Sequence, residues 1–493
     1  LRETLVSPSS TTQAQVCAPE NEQWEARIIA PANLPGALAQ SFDLLQLHRL
    51  DAVRYPHLLE SAARGGVQAR FDILFAFPGE SLTLTCDGCL TGAGHIKRKR
   101  DKGFLSTFDR WWGQAMFPAP VTMEIGSVPL FTGGWFLYLG YELAREIEPT
   151  LDFPAASGDF PIAFATRFPA AVIRDHDSDE VTLVAEAGHS DLLNRMEADL
   201  ATLAQSPPQA SAEQACLEGD LAEDPPGQHL ENVRRCIDYI YAGDVFQVNL
   251  SRAWCGRLVE NLSHARLYDR LRTRNPSPFA GLVTWGDDAI ISSSPERLVE
   301  VRGRTIQTRP IAGTRPRGSS GITDVALSEE LLAHPKERAE HIMLVDLERN
   351  DISRVCKPGS VRVDEMMVVE SYAHVHHIVS NVRGELARAV APGEVVRAVF
   401  PGGTITGCPK VRCMEILAEL EGVGRGPYTG SMGYVNRDGS LDLNILIRTM
   451  LREGDRVSLR AGGGIVADSQ PEKELDETCA KAEGVVRALK AGA

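Results

Sequence analysis

Leu230 to Arg252 reads LENVRRCIDYIYAGDVFQVNLSR, and two periodicities meet inside it. Leu230, Val233, Ile237 and Ile240 recur at the spacing of one helical face, and Gly243 stands where such a helix would end. From Asp244 to Arg252 the pattern alternates instead. Phe246, Val248 and Leu250 fall on one side of an extended chain, with Gln247, Asn249 and Ser251 on the other. The segment predicts a helix feeding a strand whose polar face is offered to a pocket. Strand-like and helix-like runs continue to the C-terminus without a fixed repeat, so the fold class is mixed α/β (α+β).

Upstream lies Ser206 to Gly227 (SPPQASAEQACLEGDLAEDPPG), rich in Pro, Gly and acidic residues, which reads as a linker. Before it come short β-branched or aromatic runs: Ala69–Phe77, Trp135–Tyr141, Ala170–Ile173 and Val181–Ala185. The expected organisation is a mostly β lobe over 1–205, a connection over 206–228 and a second lobe over 229–493. A length of 493 residues agrees, since it exceeds what one simple core serves. The longest apolar runs fall far short of a bilayer span, and Leu1–Glu20 lacks the layout of a secretory signal, so a cytoplasmic protein is expected. The formal charge of −15 argues against nucleic acid or an anionic membrane as partner. It also means that an anionic substrate would need local cations to overcome the global field. Of ten cysteines only Cys86 and Cys89 form a C-x-x-C pair, and no second pair completes a zinc site. They read as ordinary thiols near a turn, with a redox or zinc role as the lesser alternative.

Four groups could carry chemistry. Pro335 precedes KERAEH (336–341) and Pro471 opens PEKELDET (471–478), and proline favours a first helical position. Glu337 and Glu340 then share a face, as do Glu474, Glu477 and Lys481. Carboxylates without Cys or His at ligand spacing suit a hard, oxygen-preferring cation such as Mg²⁺, unless both are merely solvated helix faces. Ala461–Val466 (AGGGIV) follows a strand-like run. Its glycines could turn backbone N–H groups onto an anion, or simply make a tight bend. Pro401–Lys410 (PGGTITGCPK) has the glycine spacing of a phosphate loop, but Cys408 and Pro409 stand where Lys and Ser/Thr are required. Among His374, His376 and His377, a metal cluster is disfavoured and one general acid/base is plausible.

Seven segments occur in order: SSSPERL (292–298), QTRPIAGTRPRG (307–318), KERAEHIMLVDLERND (336–351), HHIVS (376–380), PGGTITGCPK (401–410), LDLNILIRT (441–449) and AGGGIVADSQPEKELDET (461–478). Together they resemble the chorismate-utilising enzymes, a family that includes anthranilate, aminodeoxychorismate, isochorismate and salicylate synthases. The resemblance is strong over 229–490 and weaker before it. It implies a composite two-lobed β-sheet sandwich of the anthranilate synthase component I type, with helices outside and the site between layers. It implies Glu340 and Glu477 as Mg²⁺ ligands, with Glu337 and Glu474 as outer or water-mediated partners. Arg448 and Tyr428 match positions that bind the enolpyruvyl carboxylate, aided by the backbone of Gly462, Gly463 and Gly464, and Lys481 would balance charge. Thr314, Thr404 and His377 match polar positions around the ring, His377 being the candidate for the proton linked to loss of the 4-hydroxyl.

Members that add water carry a lysine at the position of Gln247, and a neutral amide cannot serve as that base. The resemblance therefore implies ammonia as nucleophile. FPGGTITGCPK (400–410) and RFDIL (70–74) resemble the aminodeoxychorismate branch, which makes the 4-amino product for folate synthesis. Ala312 resembles the anthranilate branch instead, because a proposed lysine nucleophile often stands there in the other. No convincing glutaminase motif is visible, which implies a separate glutamine amidotransferase subunit supplying ammonia. Leu58–Ser61 (LLES) resembles a tryptophan-binding segment, with Ser61 as the candidate contact, although it also reads as a plain helix turn. The remote alternative is a non-catalytic, tryptophan-binding regulatory subunit.

Overall fold

The computed structural model describes residues 15–17, 23–35, 38, 42–63, 69–93, 103–117, 129–155, 158–205, 215–316, 327, 329–333, 335–371 and 375–490. Among the described residues, two antiparallel sheets of 13 and 11 strands face each other with helices on their outer sides. A sandwich of this kind covers both faces of its central strands, and their sequences show it. In Gly134–Leu139, Phe136 and Tyr138 enter an interlayer core with Phe75, Ile173, Val283 and Met432. The alternate residues Trp135, Leu137 and Leu139 pack outward with Phe104, Phe108 and Val396. All six positions are buried, as expected of a strand covered on both sides.

Both sheets draw strands from either side of residues 206–228. In the larger sheet His57–Glu60 pairs with Phe279–Trp285, Leu58 lying opposite Leu282. In the smaller, Gly134–Leu139 pairs with Ser431–Asn436, Phe136 lying opposite Tyr434. The part of the Pro-rich stretch beyond 214 contributes a short edge strand, Ala222–Glu223, and then the helix Pro226–Tyr241. Its preceding residues, 206–214, lie outside the described set.

The helix-to-strand reading of 230–252 holds. Helix Pro226–Tyr241 ends before Gly243, whose φ of +83° suits glycine, and strand Gln247–Arg257 follows. One detail differs. Phe246 precedes the strand and is 68% exposed, so the buried apolar face is Val248 and Leu250 alone. LLES is no helix turn either: His57–Glu60 is a strand and Ser61 closes it. Cys86 and Cys89 are exposed, separate thiols at a turn. No helix among the described residues is long and apolar enough to cross a membrane.

Both acidic segments are helices opened by their prolines, Pro335–Ser353 and Pro471–Leu489. The first packs on strand Val375–Glu385 of the smaller sheet and the second on strand Arg456–Ile465 of the larger. Each layer thus contributes one acidic helix.

Candidate active site

The glycine run is neither a loop nor a bend. Gly462, Gly463 and Gly464 belong to strand Arg456–Ile465, opposite Ser251, Leu250 and Asn249 respectively. Ser251 gives its N–H to Glu421 Oε1 (2.9 Å) and Asn249 gives its N–H to the Thr406 carbonyl (3.0 Å), so both turn away from the glycines. Residues facing one another in this way form non-hydrogen-bonded pairs. Gly462 and Gly464 therefore point their own N–H and C=O groups toward the opposite edge. That edge is open, because the neighbouring strand Thr449–Glu453 stops pairing at Met450–Leu459. Lys481 Nζ occupies part of it, donating to the Gly462 carbonyl (3.0 Å). The sequence suggested converging N–H groups. The ladder instead presents two, about 7 Å apart along a strand edge.

Close approach explains the glycines. A Cβ on Gly462 would stand 2.4 Å from the Leu250 carbonyl and 2.8 Å from Tyr428 Oη, and one on Gly464 would stand 2.0 Å from Gln247 Nε2. Over Gly463 the same construction meets Glu477 Oε1 at 3.3 Å and Glu474 Oε2 at 3.5 Å. Gln247, which is buried, donates Nε2 to Glu340 Oε1 (2.8 Å). Carboxylates from both acidic helices thus reach one strand end, Glu340 through Gln247 on the Gly464 face and Glu474 and Glu477 on the opposite, Gly463 face. Glu337 lies further off, its Oε2 2.9 Å from the Cβ position of Gly313 (φ +69°) beside the strand bearing His377. Glu477 also pairs with Lys481 (2.7 Å), one turn on.

This donor set fits magnesium. The atoms are all carboxylate oxygens, and Mg²⁺ commonly takes one or two carboxylates while keeping water or substrate oxygens. Among the described residues no three His, Cys, Asp or Glu side chains are grouped so that they could hold a metal ion.

His377 and Arg448 line a cavity of about 330 Å³ with Pro295, Lys481 and the segment Arg274–Pro278. Arg448 has φ +50°, a left-handed turn at which the chain enters strand Thr449–Glu453. Burial pulls its guanidinium below the usual arginine range, an effect that Glu296 opposes. His377 is 5% exposed, and burial followed by the Arg448 charge pushes it down to about 4. At neutral pH its ring is uncharged, so it can exchange hydrogen bonds but holds no spare proton. His376 is buried beside it, and His374 lies outside the described residues.

Sequence reasoning passed over Glu296. It follows Pro295 in SSSPERL, is 7% exposed, and accepts a hydrogen bond from Thr404 Oγ1 (2.7 Å). Burial pushes its carboxyl up to about 7, against the opposing pull of Thr404, Lys481 and Arg448. The available signal was an acid one proline beyond three small residues, Ser292–Ser294, which the fold buries completely.

Thr404 sits in the turn Gly403–Ile405, and its carbonyl accepts from Asn249 Nδ2 (3.3 Å). Tyr428 is buried against Gly462, its hydroxyl raised to about 12 by that burial. The Thr314 backbone lies opposite His377, while its side chain is outside the described set. Behind the glycine strand, Glu421 and Arg425 form a buried ion pair (2.8 Å) from which Arg425 also reaches the Asn249 carbonyl (2.7 Å).

Ser61 is elsewhere. It lines a second cavity of about 550 Å³ between the sheets, with Glu60, Arg70, Met432 and Tyr434. Its N–H goes to Asp72 Oδ1 (2.9 Å) and its hydroxyl to the Pro278 carbonyl (3.3 Å).

Residues 88–487 match the family model described as chorismate binding enzyme. The chain is 44% identical over 361 residues to an anthranilate synthase component I-like protein of Synechocystis, covering 73% of each. It is 38% identical to aminodeoxychorismate synthase component 1 of Bacillus subtilis, covering 90% of this chain and 94% of that one. Among solved structures, anthranilate synthase component I of Streptococcus pneumoniae superposes with a TM-score of 0.72 at 30% identity, over 86% of this chain and 93% of the other.

Proposed function

The chain belongs to the chorismate-binding enzymes, and we propose that it is the large component of an aminodeoxychorismate synthase, replacing the 4-hydroxyl of chorismate with an amino group. One observation carries the choice of nucleophile. The side chain at the glycine strand beside the acids is the amide of Gln247, which donates to Glu340 and has no basic lone pair for water. Ammonia needs no such base.

In this reading Arg448 and Tyr428, with the edge N–H groups of Gly462 and Gly464, hold the enolpyruvyl carboxylate. Glu340 and Glu477 hold Mg²⁺, with Glu337 and Glu474 outside them; when bound, the ion would neutralise and orient the ring carboxylate. Glu296, protonated up to about pH 7, donates to the departing 4-hydroxyl, while Thr404 orients it and neutral His377 bonds beside the ring. The step balances. A C–N bond forms and the C–O bond breaks, the oxygen leaves as water with the Glu296 proton, and the ammonium-derived proton returns to that carboxylate. Ammonia would come from a glutamine amidotransferase subunit, in keeping with the "component 1" names of the relatives. The protein would work in the cytoplasm.

Ala312 favours a second reading, anthranilate synthase, because it leaves no amine to attack ring carbon 2. Incubating the pure chain with chorismate, Mg²⁺ and ammonium salt separates the two. A stable aminated compound that retains its enolpyruvyl group is expected; anthranilate with released pyruvate would reverse the assignment. The Ser61 cavity is proposed to hold tryptophan, which equilibrium dialysis with the labelled amino acid would test: a Ser61→Trp chain should lose the binding.

A further inference from the structure

Two cations of the catalytic cavity have no task in the proposed reaction. The cavity containing His377 and Arg448 extends between the segment Arg274–Pro278 and the last turns of helix Pro471–Leu489. On that helix Lys481, Gly484 and Arg487 follow one another at three-residue steps and form one stripe along the cavity wall. Exposure rises along the stripe, from 40% at the Lys481 side chain to 52% at that of Arg487.

Arg274, half-buried on the facing wall, donates Nη1 to the Arg487 carbonyl (3.3 Å). At Gly484 the walls nearly touch, for a Cβ there would stand 2.6 Å from Asn275 Oδ1. The charged side chains lining the cavity are thus Arg274, Arg448, Lys481 and Arg487, all cations, and among the described residues no carboxylate lines it. Arg487 shares its charge with Glu483 (3.2 Å), but both side chains are half exposed, where such a pair is weak.

The surrounding protein carries a formal charge of −15. At physiological salt the distant part of that field is screened within about 8 Å, so local charges decide whether an anion approaches. We propose that Arg274 and Arg487, at the more exposed end of this cavity, form an outer capture step that draws the dianionic substrate toward Lys481 and Arg448. This rests on the proposed binding of chorismate at Arg448. Such a step acts on association and binding, not on bond making, and therefore on kcat/KM alone.

The test follows chorismate consumption by the full chain, with Mg²⁺ and ammonium, across ionic strength. At about 20 mM, Arg487→Glu should lower kcat/KM roughly tenfold and Arg274→Gln by a smaller factor, with kcat within about twofold for both. At about 0.5 M both should come within about twofold of the unaltered chain, and Arg487→Lys should match it throughout. An Arg487→Glu chain with unchanged kcat/KM at low salt overturns the proposal, as does a deficit that high salt leaves intact. If the unaltered chain consumes no chorismate, the functional reading fails first and the capture step with it.

Discussion

Gln247 and Glu296 divide the proposed chemistry between them, one by what it cannot do and the other by what burial makes it do. A carboxyl raised to about 7 keeps its proton through the acid range and loses it as pH rises through neutrality. A step that needs this proton should therefore run at a plateau below about pH 7 and fall above it, as a kcat–pH profile would show. Glu296→Gln should lower kcat by at least ~10²-fold and abolish that limb. His377, pushed down to about 4, does not supply that proton, so His377→Asn should keep the limb. At the acidic pair, Glu340→Gln and Glu477→Gln should each remove Mg²⁺-dependent turnover while circular dichroism stays unchanged. Activity that persists in both variants would refute the metal assignment.

At the level of elements, the glycine strand is held from behind and approached from in front. Glu421 and Arg425, each about 2% exposed, bind the backbone of Ser251 and Asn249 and so keep the partner strand in register. Replacing Arg425 with Met removes the nearer partner of a buried carboxylate, leaving it Arg460 at 3.4 Å, and should cost about 3 kcal/mol in denaturant unfolding. The glycines should differ among themselves. Ala at Gly462 meets a backbone carbonyl at 2.4 Å and should lower both Tm and activity, whereas Ala at Gly463 meets side-chain oxygens at 3.3 Å and should be mild.

Much of this was legible in advance. Alternation at 244–252 announced a strand, Pro335 and Pro471 announced helices, and acid spacing set which carboxylates share a face. What was not legible depended on pairing. Only the register of Gly462 against Ser251 reveals which N–H groups reach an edge. Only long-range packing buries Glu296 and sets it beside Thr404, because a local pattern carries no information about a partner 108 residues away.

Across the whole molecule, the two sheets interleave segments from before and after residues 206–228. Neither half holds a complete sheet, so heat or denaturant should unfold the chain in one cooperative transition by both tryptophan fluorescence and far-ultraviolet circular dichroism. The same interleaving brings an acidic helix from each layer to one strand end beside the Gln247 amide, where the proposed reaction would take ammonia rather than water. Isotopes test that choice most directly. Turnover of chorismate with Mg²⁺ and [¹⁵N]ammonium in H₂¹⁸O should give a product carrying one ¹⁵N and no ¹⁸O. A product with ¹⁸O on the ring and no ¹⁵N would contradict it.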